Sequence, residues 1–374
     1  MYLSNLKITN FKSYSDADID FCPGVNCLLG NNGVGKTNLL DAVYYLSFCK
    51  SYFNSIDTQN IRQGEEFFAI HGRYEGLEKQ SVQVSCIQRR NQPKQIRYEQ
   101  KAYKAFAEHI GRIPLVIVSP TDQVLITGGS DVRRKFVNGV ISQTNKEYLS
   151  NLLQYDKALS QRNRLLKQFY DDRYWDAPAI DIWDTQLVRF GQPIYNTRKA
   201  FLEQFLPIFD YYYKWISDER ESVTITYDSQ LNDESDMAKL LTEAQSADRY
   251  AQFTTVGPHK DDLTLTIGEM SMKKFASQGQ QKTLSLALKL AQFQYIYEST
   301  DIKPILLLDD IFDKLDIERI KQLIRLVGSD RFGQVFLTDT QPGRVEQIFK
   351  ELPGVEHRLY EIDRSGTIKN HSVK

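Results

Sequence analysis

Apolar and polar positions alternate from the first residues of the chain. Leu3, Leu6 and Ile8, then Ala17, Ile19 and Phe21, predict strands ahead of a short apolar run from Val25 to Leu29. Gly30 to Gly35 interrupts that run, and Leu39, Leu40, Val43 and Leu46 then recur at helical spacing over Thr37 to Cys49. A two-residue period returns at Phe68 to His71 and at Val82, Val84 and Cys86, which predicts an antiparallel flap, and Ile113 to Val118 reads as a further buried strand.

The middle of the chain changes character. Leucines 152, 159 and 166, widened by Leu149 and Tyr155, form the stripe of an amphipathic helix from Lys146 to Tyr170. Ala177-Pro178 breaks it, and a second helical pattern runs from Ile180 through Trp183, Leu187 and Ile194 towards Phe205, which predicts a helical hairpin. Val223 to Tyr227 reads as a strand and Asp233 to Tyr250 as an acidic, exposed helix or loop. Strand patterns resume at Leu263 to Ile267, Ile305 to Leu308 and Val335 to Leu337, around a helix from Gln278 to Glu298. The simplest topology is one α/β domain built from both chain ends, residues 1–119 and 251–374, with a helical lobe inserted over 120–250.

Composition narrows the partners. Against 47 basic side chains stand 48 acidic ones, a net charge of −1, so any attraction to a polyanion must come from a local patch. No apolar run approaches the ~18 residues of a membrane span, and Met1 to Asn10 lacks a signal-peptide core; a soluble cytoplasmic protein with no membrane partner is expected. Cys22, Cys27, Cys49 and Cys86 lack paired metal-ligand spacing and read as reduced packing residues.

The chemistry starts at Gly30-Asn-Asn-Gly-Val-Gly-Lys-Thr37, which fits G-x-x-x-x-G-K-[ST] between a predicted strand and helix. Glycines let successive backbone N–H groups face a phosphate, and the helix start adds partial positive charge. Gly30, Asn31, Asn32, Gly33, Val34, Gly35, Lys36, Thr37 and Asn38 are therefore candidate nucleotide-binding residues. Lys36 is expected to reach the β- and γ-phosphates of ATP, and the Thr37 hydroxyl to ligate Mg²⁺. The strand Ile305 to Leu308 ends in Asp309-Asp310, at the edge where open α/β sheets bind ligands. Asp309 is the metal-side carboxylate and Asp310 the water-activating base, one methylene shorter than the glutamate usual there, which predicts slow turnover. Ala276-Ser-Gln-Gly-Gln-Gln-Lys-Thr283 opens the last long helix, with Ser277 and Gln280 as a capping box.

The order of phosphate loop, capped helix and acidic strand resembles the ATP-binding-cassette (ABC) ATPases, and nearly the whole chain is similar to the RecF family of recombination-mediator ATPases. The segments that carry the likeness are Asn10-Phe-Lys-Ser13, Val116 to Gln123, Gly128 to Phe136, Gln161 to Lys167, Gly257-Pro-His-Lys-Asp-Asp262 and the Ala-Ser-Gln-Gly-Gln-Gln signature. The resemblance implies an ABC-type P-loop ATPase fold of the α/β class and a weak ATPase used as a switch. It places Lys12 and Ser13 near nucleotide, and offers Ser277, Gln278, Gly279 and Gln280 to the triphosphate of a second copy in a head-to-head homodimer. It also implies gapped, junction or double-stranded DNA as partner, RecO and RecR as helpers in loading the RecA recombinase, and a nucleoid-associated location. Asp313 to Asp316 matches the loop that touches the partner copy, while Asp122 or Gln123 is the candidate water- or metal-contacting loop residue and Thr338-Asp339-Thr340 replaces the switch histidine of transporter cassettes.

Basic side chains cluster at Arg89, Arg90, Lys94, Arg97, Lys101 and Lys104 on the flap, at Arg133, Arg134 and Lys135, and at Arg162, Arg164 and Lys167. Charge runs are usually only solvated faces; the family resemblance makes Arg133, Arg134, Lys135, Arg89 and Arg90 the preferred DNA contacts. Tyr174, Trp175 and Tyr211 to Tyr213 are weighed as base-stacking residues and read instead as packing. His259, beside two carboxylates, reads as structural or close to nucleotide rather than as a metal ligand. A transporter nucleotide-binding subunit fits poorly, because 241 residues separate Lys36 from Ser277. An ATPase–nuclease needs a further acidic domain after the cassette.

Overall fold

Four short strands without an exposed residue mark the centre of the first of two compact units. The computed structural model describes every residue except 78–80, 218–220, 233–235, 312–316, 330, 353, 364–365 and 372–374. One unit is formed by residues 1–122 with 296–374 and the other by 123–295.

The first unit holds two sheets. Its antiparallel sheet runs β1 (Tyr2–Phe11), β2 (Tyr14–Asp20), β4 (Phe67–Glu75), β5 (Val82–Arg89), β6 (Gln95–Tyr98) and β7 (Lys101–Ala102), in the order β2-β1-β4-β5-β6-β7. The second is built from β3 (Val25–Leu29), β8 (Leu115–Val118), β12 (Ile305–Leu308), β13 (Val335–Asp339) and β14 (His357–Ile362), all parallel, with β15 (Ile368–His371) antiparallel at one edge. Of these, β3, β8, β12 and β13 are buried along their whole length, as expected of parallel strands covered on both faces. Helix α1 (Lys36–Phe48) packs on β1, β4 and β5 on one side and on β8 and β13 on the other. That position explains why ten of its thirteen residues are buried. The four cysteines are free and buried, matching the packing role read from their spacing.

The second unit contains α2 (Val124–Thr127), α3 (Ser130–Thr144), α4 (Lys146–Asp171), α5 (Ala177–Ser217), α6 (Met237–Ala251), α7 (Met272–Phe275) and most of α8 (Gln278–Thr300), with a small sheet of β9 (Val223–Asp228), β10 (Asp262–Ile267) and β11 (Met270–Ser271). Helices α4 and α5 form the expected hairpin, α4 capped by the Asn145 side chain on the Tyr148 N–H. Helix α5 runs on to Ser217 with Pro193 and Pro207 inside it, well past Phe205.

The lobe boundary differs from the expected one. Six consecutive register pairs, from Asp262 with Asp228 to Ile267 with Val223, tie β10 to β9, so residues 251–295 belong with the helical unit rather than with the C-terminal part of the other. Hydrophobic period shows where a strand is, not which strand it joins. No helix among the described residues is long and apolar enough to cross a membrane.

His109, which carried no signal in the sequence, is fully buried in the first unit; its Nε2–H donates to the Leu46 carbonyl at 2.7 Å. Burial lowers its pKa to about 4. An unfolded histidine titrates near 6.5. As pH falls through that interval the unfolded chain takes up a proton that the folded one refuses, so stability falls, by about 2 kcal/mol at pH 5. Urea midpoints should drop between pH 7 and pH 5, and drop less in His109→Gln; equal drops would contradict this account.

Candidate functional site

The loop between β3 and α1 depends on two glycines for different reasons. Gly35 has φ +110°, and a Cβ there would lie 2.9 Å from Ser13 Oγ; at Gly30, φ +151°, it would lie 2.4 Å from the Ile362 carbonyl oxygen. Neither position tolerates a side chain. Val34 is buried and anchors the loop, while Asn31, Asn32 and Gly33 are exposed. Lys36, the first residue of α1, turns back so that Nζ donates to Gly30 O at 2.7 Å and Asn31 O at 2.9 Å. Asn38 Nδ2 donates to Ser13 Oγ at 2.9 Å, and the Tyr14 hydroxyl to Gly35 O at 3.2 Å, so Ser13 adjoins the loop. Its neighbour Lys12 is committed elsewhere: its ammonium pairs with the buried Asp41 carboxylate at 2.6 Å, and its side chain is 11% exposed. It holds the β1–β2 turn onto α1.

Parallel register brings the acidic strand end to the same place. Thr37 Oγ1 lies 3.0 and 3.1 Å from the two carboxylate oxygens of Asp309, and Thr338 Oγ1, on β13, lies 3.1 Å from Asp309 Oδ1. Burial raises the Asp309 pKa to about 6, opposed by the Thr37 hydrogen bond and reinforced by the neighbouring Asp310 charge. Asp310 has φ +47° and donates its N–H to Thr338 Oγ1 at 2.8 Å. An ammonium, two hydroxyls and two carboxylates thus converge at the C-terminal edge of the parallel sheet, beside a glycine-lined loop. Such a set of hard oxygen donors suits a divalent cation and phosphate.

Geometry supplies structural partners for Asp339 and Asp122. Asp339 is buried, accepts from Arg344 Nη2 at 2.6 Å and from Gln341 N at 2.9 Å, and so secures the start of the helix Pro342–Lys350; Thr338 is the member of that run facing the acids. Asp122 is buried, accepts from the Tyr52 hydroxyl and from Ser119 N at 2.7 Å, while Gln123 is half-buried and opens the second unit. The expected partner-touching loop, Asp313 to Asp316, lies outside the described residues.

In the second unit, Ser277 N–H donates to Gln280 Oε1 at 2.7 Å and Gln280 N–H to Ser277 Oγ at 3.2 Å, a reciprocal capping box. Gln280 Nε2 also donates to both carboxylate oxygens of Glu221 at 2.9 Å, a contact no sequence pattern announces. Ser277, Gln278 and Gly279 are at least partly exposed, and a Cβ on Gly279 would meet only Ser277 Oγ, at 3.8 Å. Glycine in a helical turn costs about 1 kcal/mol relative to alanine. Nothing within the described chain requires it there, so the small surface suits close approach from outside.

The basic groups divide. Arg133 donates to both Asp262 oxygens at 2.6 and 2.8 Å with its side chain 11% exposed, which corrects its assignment as a DNA contact: it clamps α3 to β10. Arg162 is fully buried between Asp184 and Asp248, so its motif is a packing element, and Lys94 is paired with Asp57 at 2.6 Å. Arg89 is exposed and lies 5.0 Å from the Phe67 ring, Arg90 is exposed with Nε on Glu65 O, and Arg134 and Lys135 remain at the surface of α3. His259 is structural: Tyr155 donates to its Nδ1 at 2.7 Å and its Nε2–H donates to Thr254 O at 3.0 Å. Among the described residues no group of three metal-ligating side chains is found. Asp41, Arg344 and Glu221 escaped sequence reasoning because nothing local to them marks their partners.

Comparison with known proteins agrees with this arrangement. The family model described as RecF/RecN/SMC N terminal domain matches residues 2–359. The chain is 46% identical over 362 residues to the DNA replication and repair protein RecF of Flavobacterium johnsoniae, covering 97% of this chain and 99% of that protein. It is 43% identical over 364 residues to the protein of the same name from Bacteroides thetaiotaomicron, covering 97% of each. Among solved structures, the recombination mediator RecF with ATP, of the RecFOR pathway, superposes with a TM-score of 0.89 at 29% identity, over 99% of this chain and 98% of that one. An Smc head domain from Pyrococcus furiosus shares the fold alone, with a TM-score of 0.57 at 14% identity, over 99% and 96%. With a glycine loop, an acidic strand end and a capped helix in one α/β ATPase fold, the chain belongs to the RecF family.

Proposed function

We propose that this protein is an ATP-dependent DNA-binding protein of recombinational repair. ATP is held at residues 30–38 of one copy and capped by Ser277, Gln278, Gly279 and Gln280 of a second, so that two copies close head to head on gapped, junction or double-stranded DNA. Slow hydrolysis reopens them. The observation that carries this reading is the Thr37 hydroxyl bonded to both oxygens of buried Asp309 directly behind the glycine loop. The solved RecF with ATP supports the ligand, and its RecFOR context supports RecO and RecR as partners; the three together help load RecA.

Each residue has a defined task. Lys36 exchanges the Gly30 and Asn31 carbonyls for phosphate oxygens, at little cost in ordering because it is already held at the loop. Thr37 and Asp309 are the residues that would hold Mg²⁺, which would supply Lewis-acid stabilisation of phosphate charge; burial raises the proton affinity of that carboxylate, and a cation beside it would offset the cost of burying its charge. Asp310 accepts the proton of the attacking water, and Thr338 fixes its backbone. Closure follows ATP because only the closed form offers the triphosphate a second set of N–H donors.

Two variants test the reading. Lys36→Arg should keep the circular dichroism of the wild type yet lose ATP-stimulated binding of labelled duplex in fluorescence anisotropy; unchanged stimulation would overturn the phosphate-loop assignment. Asp310→Asn should lower steady-state hydrolysis by about 100-fold or more while ATP affinity stays near that of wild type. Dissociation from DNA should slow in the same variant, and faster release would rule out the base role.

A further inference from the structure

Among the described residues, Arg134 is in no ion pair, unlike Arg133 beside it. Arg133 takes both oxygens of Asp262. Buried Arg198, on α5, takes Asp261 Oδ2 at 2.8 Å, and the Tyr227 hydroxyl donates to the same oxygen. Both carboxylates of the Asp261-Asp262 pair are thereby engaged. Arg134 donates Nη1–H to the Asp261 carbonyl oxygen at 2.6 Å and, among the described residues, has no carboxylate within ion-pair distance. Arg133 and Arg198 thus take these two carboxylates at ion-pair distance, and Asp262, Asp131 and Asp261 attract Arg134 without pairing with it. Burial and repulsion from Arg198 weaken the hold of Arg134 on its proton. A partly buried cation so placed is stabilised by an anion from outside.

The same side chain lines a cavity of about 200 Å³ within the second unit, together with Lys135, Arg198, Tyr155, His259 and Asp156. Lys135 has only a loose partner there, Asp131 at 3.5 Å, and its side chain is 80% exposed. His259 uses both ring nitrogens internally, and burial lowers its pKa to about 4, so it is neutral at pH 7. Asp131 and Asp156 are the opposing charges in its lining; Asp156 is exposed and in no ion pair among the described residues. A guanidinium fork with an adjacent ammonium matches phosphate geometry, and Leu152 and Pro258 leave an apolar flank for the attached sugar.

We infer that this cavity receives a backbone phosphate of DNA through Arg134 and Lys135, with Arg133 serving only the fold. The inference rests on the DNA-binding function proposed above and adds where the helical unit takes part in it.

Anisotropy of labelled duplex with ATP, measured between about 50 and 200 mM salt, tests it. Arg134→Gln should weaken binding about tenfold and reduce the salt slope by about one, while Asp156→Asn tightens binding. Unchanged melting temperature and ATP affinity in Arg134→Gln would separate this loss from misfolding. Should that variant fail to fold, Lys135→Gln, at an exposed position, carries the same expectation. Wild-type slope and affinity in a folded variant would overturn the phosphate site alone. A wild-type protein that hydrolyses ATP but ignores duplex would overturn the DNA-binding function, and the site with it. If inorganic phosphate raised the melting temperature of wild type but not of Arg134→Gln, with duplex binding equal in both, the pocket would hold a free anion and the DNA assignment would fall.

Discussion

The buried carboxylate of Asp309 organises the first unit. It sits where β12 ends and is reached by Thr37, 272 residues away in the chain, and by Thr338 on the neighbouring strand. A buried carboxylate left without donors is costly, so the hydroxyls that satisfy it also fix where α1 begins and how β13 aligns with β12. The glycine loop inherits its position from those constraints. Lys36 folds onto the loop carbonyls and Ser13 closes against Gly35, leaving Asn31, Asn32 and Gly33 facing solvent. The site is therefore shaped in advance, and a triphosphate meets donors that need little rearrangement.

The second unit supplies a different surface. Its signature turn is self-satisfied through Ser277 and Gln280, and Glu221 restrains the Gln280 amide. Gly279 presents backbone where any other residue would present a side chain. Elsewhere the unit is held by two buried arginines: Arg162 joins α4 to Asp184 and Asp248, and Arg198 joins α5 to Asp261, Tyr148 and Asn138. Removing either would strand carboxylates away from water, which typically costs about 3–5 kcal/mol. Arg162, one of the basic groups the sequence offers to a polyanion, is thus internal, and Arg133 is held by Asp262.

How much was legible follows from how local each signal is. The strands at Ile305 to Leu308 and Val25 to Leu29, the helix after the glycine loop and the capping box all rest on neighbours within a few positions, and the structure places them as read. What failed depends on partners distant in sequence. Arg133 and Arg162 look like free charges until Asp262 and Asp184 arrive from 129 and 22 residues away. Nothing near Lys12 announces its pairing with Asp41, and residues 251–295 seemed to rejoin the first domain until β10 paired with β9. Asp339 stood in a sensing position by sequence, yet Arg344, five residues on, turns it into a helix anchor.

Sedimentation velocity with and without ATP and Mg²⁺ tests the central claim most directly, using wild type and Ser277→Arg side by side. The account predicts a wild-type monomer that becomes a dimer on adding ATP, and a variant that still binds ATP but stays monomeric. A wild-type protein that remains a monomer with ATP bound, or a variant that dimerises as readily as wild type, would contradict it.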